Sequence, residues 1–199
     1  MRLAGYTTGD FERGAPFWRE ALWVVVKCVF FLNPWPWPSA LRVLLLRAFG
    51  ARIGKGVVVR PRVNITFPWR LSVGDHVWFG EEVLVLSLAP VTIESHVCLS
   101  QRAFLCTGSH NFFAPGFDLV TQPITIGEGS WIAAQAFIGA GVEIGKNCLV
   151  SAGSVVLKSV PANSKVSGNP AVMVGIKDQE SGIRSQGAGV GGRKSEVGS

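Results

Sequence analysis

Aliphatic residues recur at every sixth position through the middle of the chain. This spacing matches neither the period of two of a half-buried strand nor the period of 3.6 of an amphipathic helix. A six-residue unit has room for one short strand and one turn, and it buries its apolar side only when further units stack on it. The pattern therefore predicts a repeat protein built on Ile53, Val59, Ile65, Val73, Phe79, Val85, Ile93, Leu99, Leu105, Ile126, Ile132, Ile138, Ile144, Val150 and Val156.

Three such units close one triangular coil, and successive coils lie about 4.8 Å apart, the spacing of neighbouring strands. The register predicts five coils, which begin at Ile53, Val73, Ile93, Ile126 and Ile144. Each of the first two steps is 20 residues long and the last is 18, so the early coils have two extra residues at a corner. We expect the third coil to run to His110 and a protruding loop to follow it over residues 111–125.

The segments on either side of the repeats need separate interpretations. Residues 17–32 and 39–49 are predicted to be helical, because the prolines of the segment between them cannot continue a helix. The first helix is apolar nearly all round, so it must pack against protein or lipid. Its 16-residue apolar run includes Arg19, Glu20 and Lys27, whereas a membrane-spanning helix needs about 20 mostly apolar residues.

The chain is thus divided into an N-terminal helical segment (1–50), a β-helix domain (51–176) and a tail (177–199). The tail has six glycines and four serines in 23 residues, a composition typical of a flexible, disordered segment. Hydrophobic residues make up 48% of the chain and charged residues 16%, which excludes disorder of the chain as a whole.

The net charge of +6 is concentrated near the N-terminus: residues 1–56 have a net charge of +5, whereas residues 57–176 are neutral. Four of the seven tryptophans lie in the same segment. Basic and aromatic residues together favour an anionic membrane face, so residues 17–49 are expected either to cap the coils and pack between subunits or to contact a membrane. No dense cluster of basic residues indicates nucleic-acid binding.

The four cysteines, at positions 28, 98, 106 and 148, have no C-x-x-C spacing. Neither a zinc site nor a redox pair is indicated, and we expect buried free thiols in a reducing cytoplasm. No secretory signal pattern appears at the N-terminus. The expected location is therefore cytoplasmic, with peripheral contact to the inner membrane as the alternative.

The repeat and its motifs resemble the left-handed parallel β-helix of the hexapeptide-repeat acyltransferases, and among them the O-acetyltransferases of exopolysaccharide and colanic-acid biosynthesis. The residues that carry this likeness are Pro68-Trp69, Leu105–His110, Pro123–Gly127, Trp131–Ala133 and Ser167–Ala171. The resemblance implies an all-β, left-handed parallel β-helix, a homotrimer, and acetyl transfer from acetyl-CoA to a sugar hydroxyl on a surface-polysaccharide precursor. The left-handed sense comes from the resemblance alone.

His110 is the candidate catalytic residue, because it lies where the long loop leaves the coils and imidazole accepts protons near neutral pH. In the resembled family the histidine of this motif is the general base for direct acetyl transfer. His76 and His96 are expected to stack at one corner as solvated residues, with a metal pair as the alternative, and no metal is predicted. Relatives often have Asp after the catalytic histidine, where this chain has Asn111.

The resemblance also assigns binding residues. Trp131 is expected to wall the site near the thioester, with simple corner packing as its alternative role. Residues expected at the pantetheine arm or nucleotide end of the donor are Ala134, Ala152, Gly153, Lys158, Asn169 and Pro170. Ser87, Arg102 and Asn111 are candidates for binding the acceptor.

Three phenylalanines, Phe112, Phe113 and Phe117, make the loop apolar, so we expect it to lie across a neighbouring subunit; a loop folded on its own chain is the alternative. Two other functions stay open. One is N-acetylation of an amino sugar or small amine, and the other is a β-helical scaffold without turnover.

Overall fold

The six-residue repeats form short strands that wind into a solenoid. A computed structural model describes Tyr6, Thr8 and residues 11–176, and the tail predicted to be flexible lies outside the described residues. The helices are α1 (Phe17–Phe30) and α2 (Ser39–Ala48). The strands are β1 (Arg52–Ile53), β2 (Val58–Val59), β3 (Asn64–Ile65), β4 (Leu71–Val73), β5 (Trp78–Phe79), β6 (Leu84–Leu86), β7 (Val91–Ile93), β8 (Cys98–Leu99), β9 (Phe104–Cys106), β10 (Gly108–His110), β11 (Leu119–Thr121), β12 (Ile124–Ile126), β13 (Trp131–Ile132), β14 (Phe137–Ile138), β15 (Glu143–Ile144), β16 (Leu149–Val150), β17 (Val155–Val156), β18 (Ser164–Gly168) and β19 (Ala171–Ile176).

Three parallel sheets make the three faces of the triangle. The first face is β1-β4-β7-β12-β15, the second runs from β2 through β5, β8, β13 and β16 to β18, and the third is β3-β6-β9-β14-β17. Each strand pairs with the strand one coil later in the predicted register, as Val73 does with Ile93 and Ile126 with Ile144. The predicted left-handed parallel β-helix of five coils is confirmed.

The core is built from columns of side chains that point into the triangle. Every predicted repeat residue is buried except Ile53, which is half-buried at the first coil. The column on the second face, for example, stacks Val59, Phe79, Leu99, Ile132 and Val150. Fully burying one such aliphatic side chain stabilises the fold by about 1.5–3 kcal/mol, so the stacked columns supply the stability that a single coil lacks.

The two helices cover the open edge of the first coil, and their side chains bind its backbone on all three faces. Trp23 donates from Nε1 to the carbonyl of Ile65 at 3.0 Å, and the buried Arg42 reaches the carbonyl of Val59. These contacts are completed by Arg47 to Ile53 O, Val59 N to Ser39 Oγ, and Arg62 N to Phe31 O. The helices therefore satisfy polar groups that stacking leaves unpaired on the first coil.

Two of the three corners have a residue with positive φ in every coil. The corner between the first and second faces has this conformation at His76, His96 and Asn147, with φ of 56°, 60° and 56°. Arg102 and Gln135 have φ of 60° at the corner between the second and third faces. The last described residues form an antiparallel hairpin, β18–β19, at the far end of the second face.

Candidate active site

His110 lies on a hairpin that leaves the corner between the third and first faces. The third coil ends its third-face strand at Cys106, and β10 then pairs antiparallel with β11, with His110 opposite Leu119. The expectation that His110 closes the third coil is therefore wrong: the residue lies outside the coil, on a projecting arm. The predicted excursion of residues 111–125 supplies the returning strand of that arm.

The His110 ring is held by the loop that follows it. Its Nδ1 lies 2.9 Å from the carbonyl oxygen of Phe117, and the Phe117 ring stacks on the imidazole with centroids 4.3 Å apart and planes 2° apart. A carbonyl oxygen only accepts hydrogen bonds, so Nδ1 is the donor, and in the neutral ring Nε2 is the nitrogen that keeps its lone pair. In its neutral form the ring therefore presents Nε2 as an oriented proton acceptor at the surface.

Two aromatic neighbours of His110 were not identified from the sequence. The sequence marks Phe117 only as one of several apolar loop residues, and Tyr6 lies 104 positions before His110 in the chain. The Tyr6 ring centroid is 5.7 Å from that of His110, with planes inclined by 60°. No spacing rule connects these positions, because the contact depends on how two irregular segments meet.

The loop was expected either to lie across a neighbouring subunit or to fold on its own chain, and its phenylalanines differ in this respect. Phe117 folds back on its own chain, as the alternative expectation had it. Phe112 and Phe113 are 64% and 92% exposed, and their rings contact each other at 5.6 Å. These two side chains remain available to a neighbouring subunit.

The candidates for binding the acceptor differ in whether their side chains are free to contact it. The Asn111 carboxamide oxygen accepts from the backbone N–H groups of Phe113 and Ala114, at 3.1 and 3.2 Å, so it shapes the turn after His110. Ser87 is fully buried and bonds both the N–H and the carbonyl of Phe67. The Ser87 hydroxyl therefore closes a corner and has no surface left for an acceptor.

Trp131 lies on the outward side of the second face and is 50% exposed. Its Nε1 donates to the Ser100 hydroxyl at 2.7 Å, which fixes the indole against the neighbouring coil. One coil before Trp131 is Cys98, and one further coil before that is Trp78, which is 60% exposed. A groove of about 490 Å³ runs over this part of the face, lined by Trp78, Cys98, Ser100 and Gln101 among others.

Most predicted donor-binding residues follow the second face at its corner with the third face. Gly153 donates its backbone N–H to the Ala134 carbonyl at 2.9 Å, which ties the fourth and fifth coils together. Within residues 11–176, the N–H groups of Ala134 and Ala152 have no hydrogen-bond partner. Asn169 and Pro170, both exposed, form the turn between β18 and β19 one coil beyond. The corner thus presents a row of small residues and unpaired donors.

The two charged candidates are Arg102 and Lys158. Arg102 is already paired, and Lys158 lies at a different corner from this row. Arg102 donates to the Glu82 carboxylate at 2.7 Å, and Arg62 binds the other oxygen at 3.0 Å. These two guanidinium groups lower the pKa of Glu82. Lys158 is exposed after β17, at the corner between the third and first faces.

One chain therefore presents the predicted residues in two groups on opposite sides of the third face. Trp131, Ala134, Ala152 and Gly153 belong to the second face and the corner after it. His110 and Asn111 project from the next corner, where Lys158 also lies. In the described part of a single chain, no contact joins the histidine to the tryptophan.

His76 and His96 stack as predicted, with ring centroids 5.3 Å apart. Both are exposed, and the described residues contain no group of three side chains able to hold a metal. The cysteines form no disulfide. Cys28 is exposed rather than buried, because it lies on the outer side of α1, whereas burial raises the pKa of both Cys106 and Cys148.

No helix in the described residues is long and apolar enough to cross a membrane. The outer side of α1 is nevertheless apolar along its whole length. Its exposed large side chains are Phe17, Trp18, Leu22, Val24, Val25 and Val29. The basic residues of α1 lie elsewhere: Arg19 donates to the carbonyl of Phe49, and burial lowers the pKa of Lys27.

Comparison with known proteins assigns the family. Residues 123–158 match the family model described as bacterial transferase hexapeptide (six repeats). The chain is 43% identical over 175 residues to the putative colanic acid biosynthesis acetyltransferase WcaF of Escherichia coli, a match that covers 86% of this chain and 94% of that protein. It is 29% identical over 132 residues to the galactoside O-acetyltransferase of the same organism, covering 65% of each.

Among solved structures, the hexapeptide-repeat acetyltransferase of Vibrio cholerae complexed with acetyl coenzyme A has 25% identity and a TM-score of 0.76. That likeness covers 89% of this chain and all of the other. The shared repeat, the length of the alignment with WcaF and the matching fold agree with one another. The chain belongs to the hexapeptide-repeat acetyltransferases.

Proposed function

We propose that the protein transfers the acetyl group of acetyl-CoA to a sugar hydroxyl of a surface-polysaccharide precursor, with His110 as general base. The single observation that carries this is the anchoring of His110 Nδ1 by the Phe117 carbonyl, which leaves Nε2 as a free proton acceptor. The acceptor class is supported by the similarity to WcaF and to the galactoside O-acetyltransferase. The donor is supported by the Vibrio cholerae structure with acetyl coenzyme A.

In the proposed reaction, His110 Nε2 takes the proton of the acceptor hydroxyl as the oxygen attacks the thioester carbonyl. The C–O bond forms, the tetrahedral intermediate collapses, and the C–S bond breaks. The departing thiolate takes the proton from the imidazolium, so His110 returns to its starting state without an acyl-enzyme. The Phe117 carbonyl stabilises the transient imidazolium and keeps the ring in its tautomer, as an orienting acceptor does in other histidine-based sites.

The proposed site lies between two subunits of a homotrimer. One subunit supplies His110 on its projecting hairpin, and its neighbour supplies Trp131 and the row at Ala134 and Ala152. This division is supported by the separation of the two groups within one chain and by the exposed Phe112 and Phe113 beside the histidine. The unpaired N–H groups of the row offer donors to the pantetheine carbonyls, and Lys158 offers charge to the phosphates.

The direct test is acetyl transfer from acetyl-CoA to a panel of sugars and nucleotide sugars, with the product treated with hydroxylamine. An O-acetyl ester is cleaved by hydroxylamine and an N-acetyl amide is not, so this step separates the two enzymatic alternatives. Turnover that His110→Ala abolishes, with an ester product, is the expected result. Unchanged turnover in His110→Ala would remove the assignment, and no turnover with any acceptor would favour the scaffold.

A mixing experiment tests the shared site. His110→Ala removes the base from one side, and Ala134→Trp blocks the donor row on the other. Each variant alone is expected to be inactive. If the two are unfolded and refolded together at equal amounts, about a quarter of the subunit boundaries pair an intact base with an intact row, so about a quarter of the wild-type activity returns. Activity that stays absent in verified mixed trimers would contradict a site shared between subunits.

The apolar outer side of α1 suits the surface of an anionic membrane. A trimer with its axis along the solenoids would present three such helices at the same end, beside the net charge of +5 of residues 1–56. We expect the protein to float with vesicles of anionic phospholipid. The double variant Trp18→Ser, Val25→Ser, in which both changed residues are exposed, should lose this binding and keep its activity toward water-soluble acceptors. Equal flotation of the two proteins would overturn this role of α1.

A further inference from the structure

The first two coil steps each contain two extra residues, and in the first step these form a binding place for the N-terminal segment. The corner that contains the two extra residues forms the 3-10 turn Pro68–Arg70, and side chains of this turn hold what we call the N-terminal arm, namely Tyr6, Thr8 and residues 11–16. Trp69 donates from Nε1 to the Arg13 carbonyl at 2.8 Å, and Arg70 donates to the Glu12 carbonyl. The insertion therefore has a local purpose: it clamps the arm.

Aromatic contacts complete the clamp. The Arg70 guanidinium lies 5.2 Å from the centre of the Phe11 ring and 5.8 Å from that of Phe67. The Phe11 and Phe67 rings stack with centroids 6.5 Å apart. Residues 11–13 are thus fixed at the first coil, on the corner between the third and first faces.

The same corner leads to the active site. Ser87 bonds the backbone of Phe67 in the coil above it, and Thr107 bonds the carbonyl of Leu86 in the same way. Two coil spacings, about 9.6 Å, therefore separate the clamp from the base of the His110 hairpin. Phe11 and Tyr6 are five positions apart, and five residues can span up to about 17 Å, which exceeds this separation.

Tyr6 is where the arm meets the catalytic residue. Its ring lies 5.7 Å from the His110 ring at an inclination of 60°, and the side chain is only 38% exposed although the arm runs over the surface. Phe117 stacks flat against the same imidazole. The imidazole therefore contacts two aromatic rings, and one of them comes from a separate, clamped segment of the chain.

We propose that Tyr6 is a positioning and specificity residue for the acceptor, an inference that rests on the proposed function. An aromatic ring beside the general base offers its face to the C–H groups of a pyranose ring, a contact typical of aromatic residues at binding sites. Tyr6 thereby holds the sugar so that one hydroxyl points at His110 Nε2. The clamp at Arg70 acts through Tyr6 and does not itself touch the sugar.

The kinetic test separates this role from a general structural one. Tyr6→Ala is expected to raise the KM for the sugar about tenfold, equivalent to about 1.4 kcal/mol, and to leave the KM for acetyl-CoA unchanged. Tyr6→Phe, the matched control that keeps the ring, should restore the sugar KM. Arg70→Ala should reproduce the effect of Tyr6→Ala with the tyrosine intact. A parallel rise in both KM values, or no change in either, would overturn the proposal.

A second measurement does not depend on turnover. Tyr6 is the only tyrosine in the chain, so 3-fluorotyrosine incorporation gives a single fluorine resonance. Because the two rings are in contact, we expect that resonance to differ between the wild-type protein and His110→Ala. Saturating sugar should also move it, whereas coenzyme A alone should not. A resonance insensitive to both would remove Tyr6 from the site even if the enzyme is active, whereas one that senses His110 in a protein without acetyl transfer would instead count against the proposed function.

Discussion

The coil stack and the segments that interrupt it are stabilised in different ways. In the strands of the stack, backbone groups pair with the equivalent groups of the next coil, and each inward side chain lies on its counterpart, as Leu99 does on Phe79. In the interruptions, single side chains bind distant carbonyls, as Trp23 binds Ile65 and His110 binds Phe117. The stack supplies a repeating frame, and the proposed general base, His110, is located where the repeat is broken.

The largest expected effect falls on an interruption. His110→Ala should lower kcat/KM for acetyl transfer by about 10²–10⁴-fold, the usual contribution of a general base. The melting temperature should change little, because His110 is exposed and lies outside the coils. Calorimetry beside the kinetic assay checks both halves of this expectation. A large fall in melting temperature would show that the hairpin supports the stack and would blur the distinction.

In the stack, removal of one inward side chain should lower stability and leave the activity of the folded protein unchanged. Leu105 is fully buried between Val85 and Ile138 in the third-face column. Leu105→Ala is expected to lower the free energy of unfolding by about 2–5 kcal/mol, the cost of lost burial plus a cavity. Denaturant titration measures this. At a temperature where the variant is folded, its kcat should stay near the wild-type value, and a cost below about 1 kcal/mol would contradict a close-packed column.

The cap should depend on single buried contacts more than the coils do. Arg42 is 1% exposed and donates to the carbonyls of Phe30 and Trp37 at 2.9 and 2.8 Å. Arg42→Ala leaves these carbonyls without their donor, so unfolding should become easier by about 2–3 kcal/mol. Hydrogen exchange should show the loss first in α1 and α2. Equal loss of protection in the coils furthest from the cap would show that cap and stack unfold as one unit.

Arg60 provides the matched control on the surface of the stack. It pairs with Glu81 at 3.2 Å, and both side chains are more than half exposed. Arg60→Ala should change the free energy of unfolding by less than about 1 kcal/mol, because solvent screens such pairs. The same denaturant titration compares it with Arg42→Ala. A cost as large as that of Arg42→Ala would mean that surface ion pairs, rather than buried donors, hold the early coils.

The sequence predicted the coil stack well and the segments that interrupt it poorly. The spacing alone located the inward residues of all five coils, because a strict register repeats the same environment every sixth position. It misplaced His110, since nothing in the repeat indicates where a chain leaves its coil to form a hairpin. The contacts of Tyr6 and Phe117 with that histidine were also beyond prediction. Phe117 reaches the ring through an irregular turn, and the arm that bears Tyr6 is held by Trp69 and Arg70, which the spacing records only as part of an irregular corner.

The capped edge of the first coil has a consequence for how long the solenoid can grow. An uncapped first coil would expose unpaired strand edges on all three faces, and such edges pair with other molecules to form filaments. Trp23, Arg42 and Arg47 bind the backbone carbonyls of this edge, so the cap prevents a second molecule from adding strands along the solenoid axis. A variant lacking residues 1–50 should therefore polymerise at its exposed end, and grafting the cap onto another bare β-solenoid should keep that solenoid discrete.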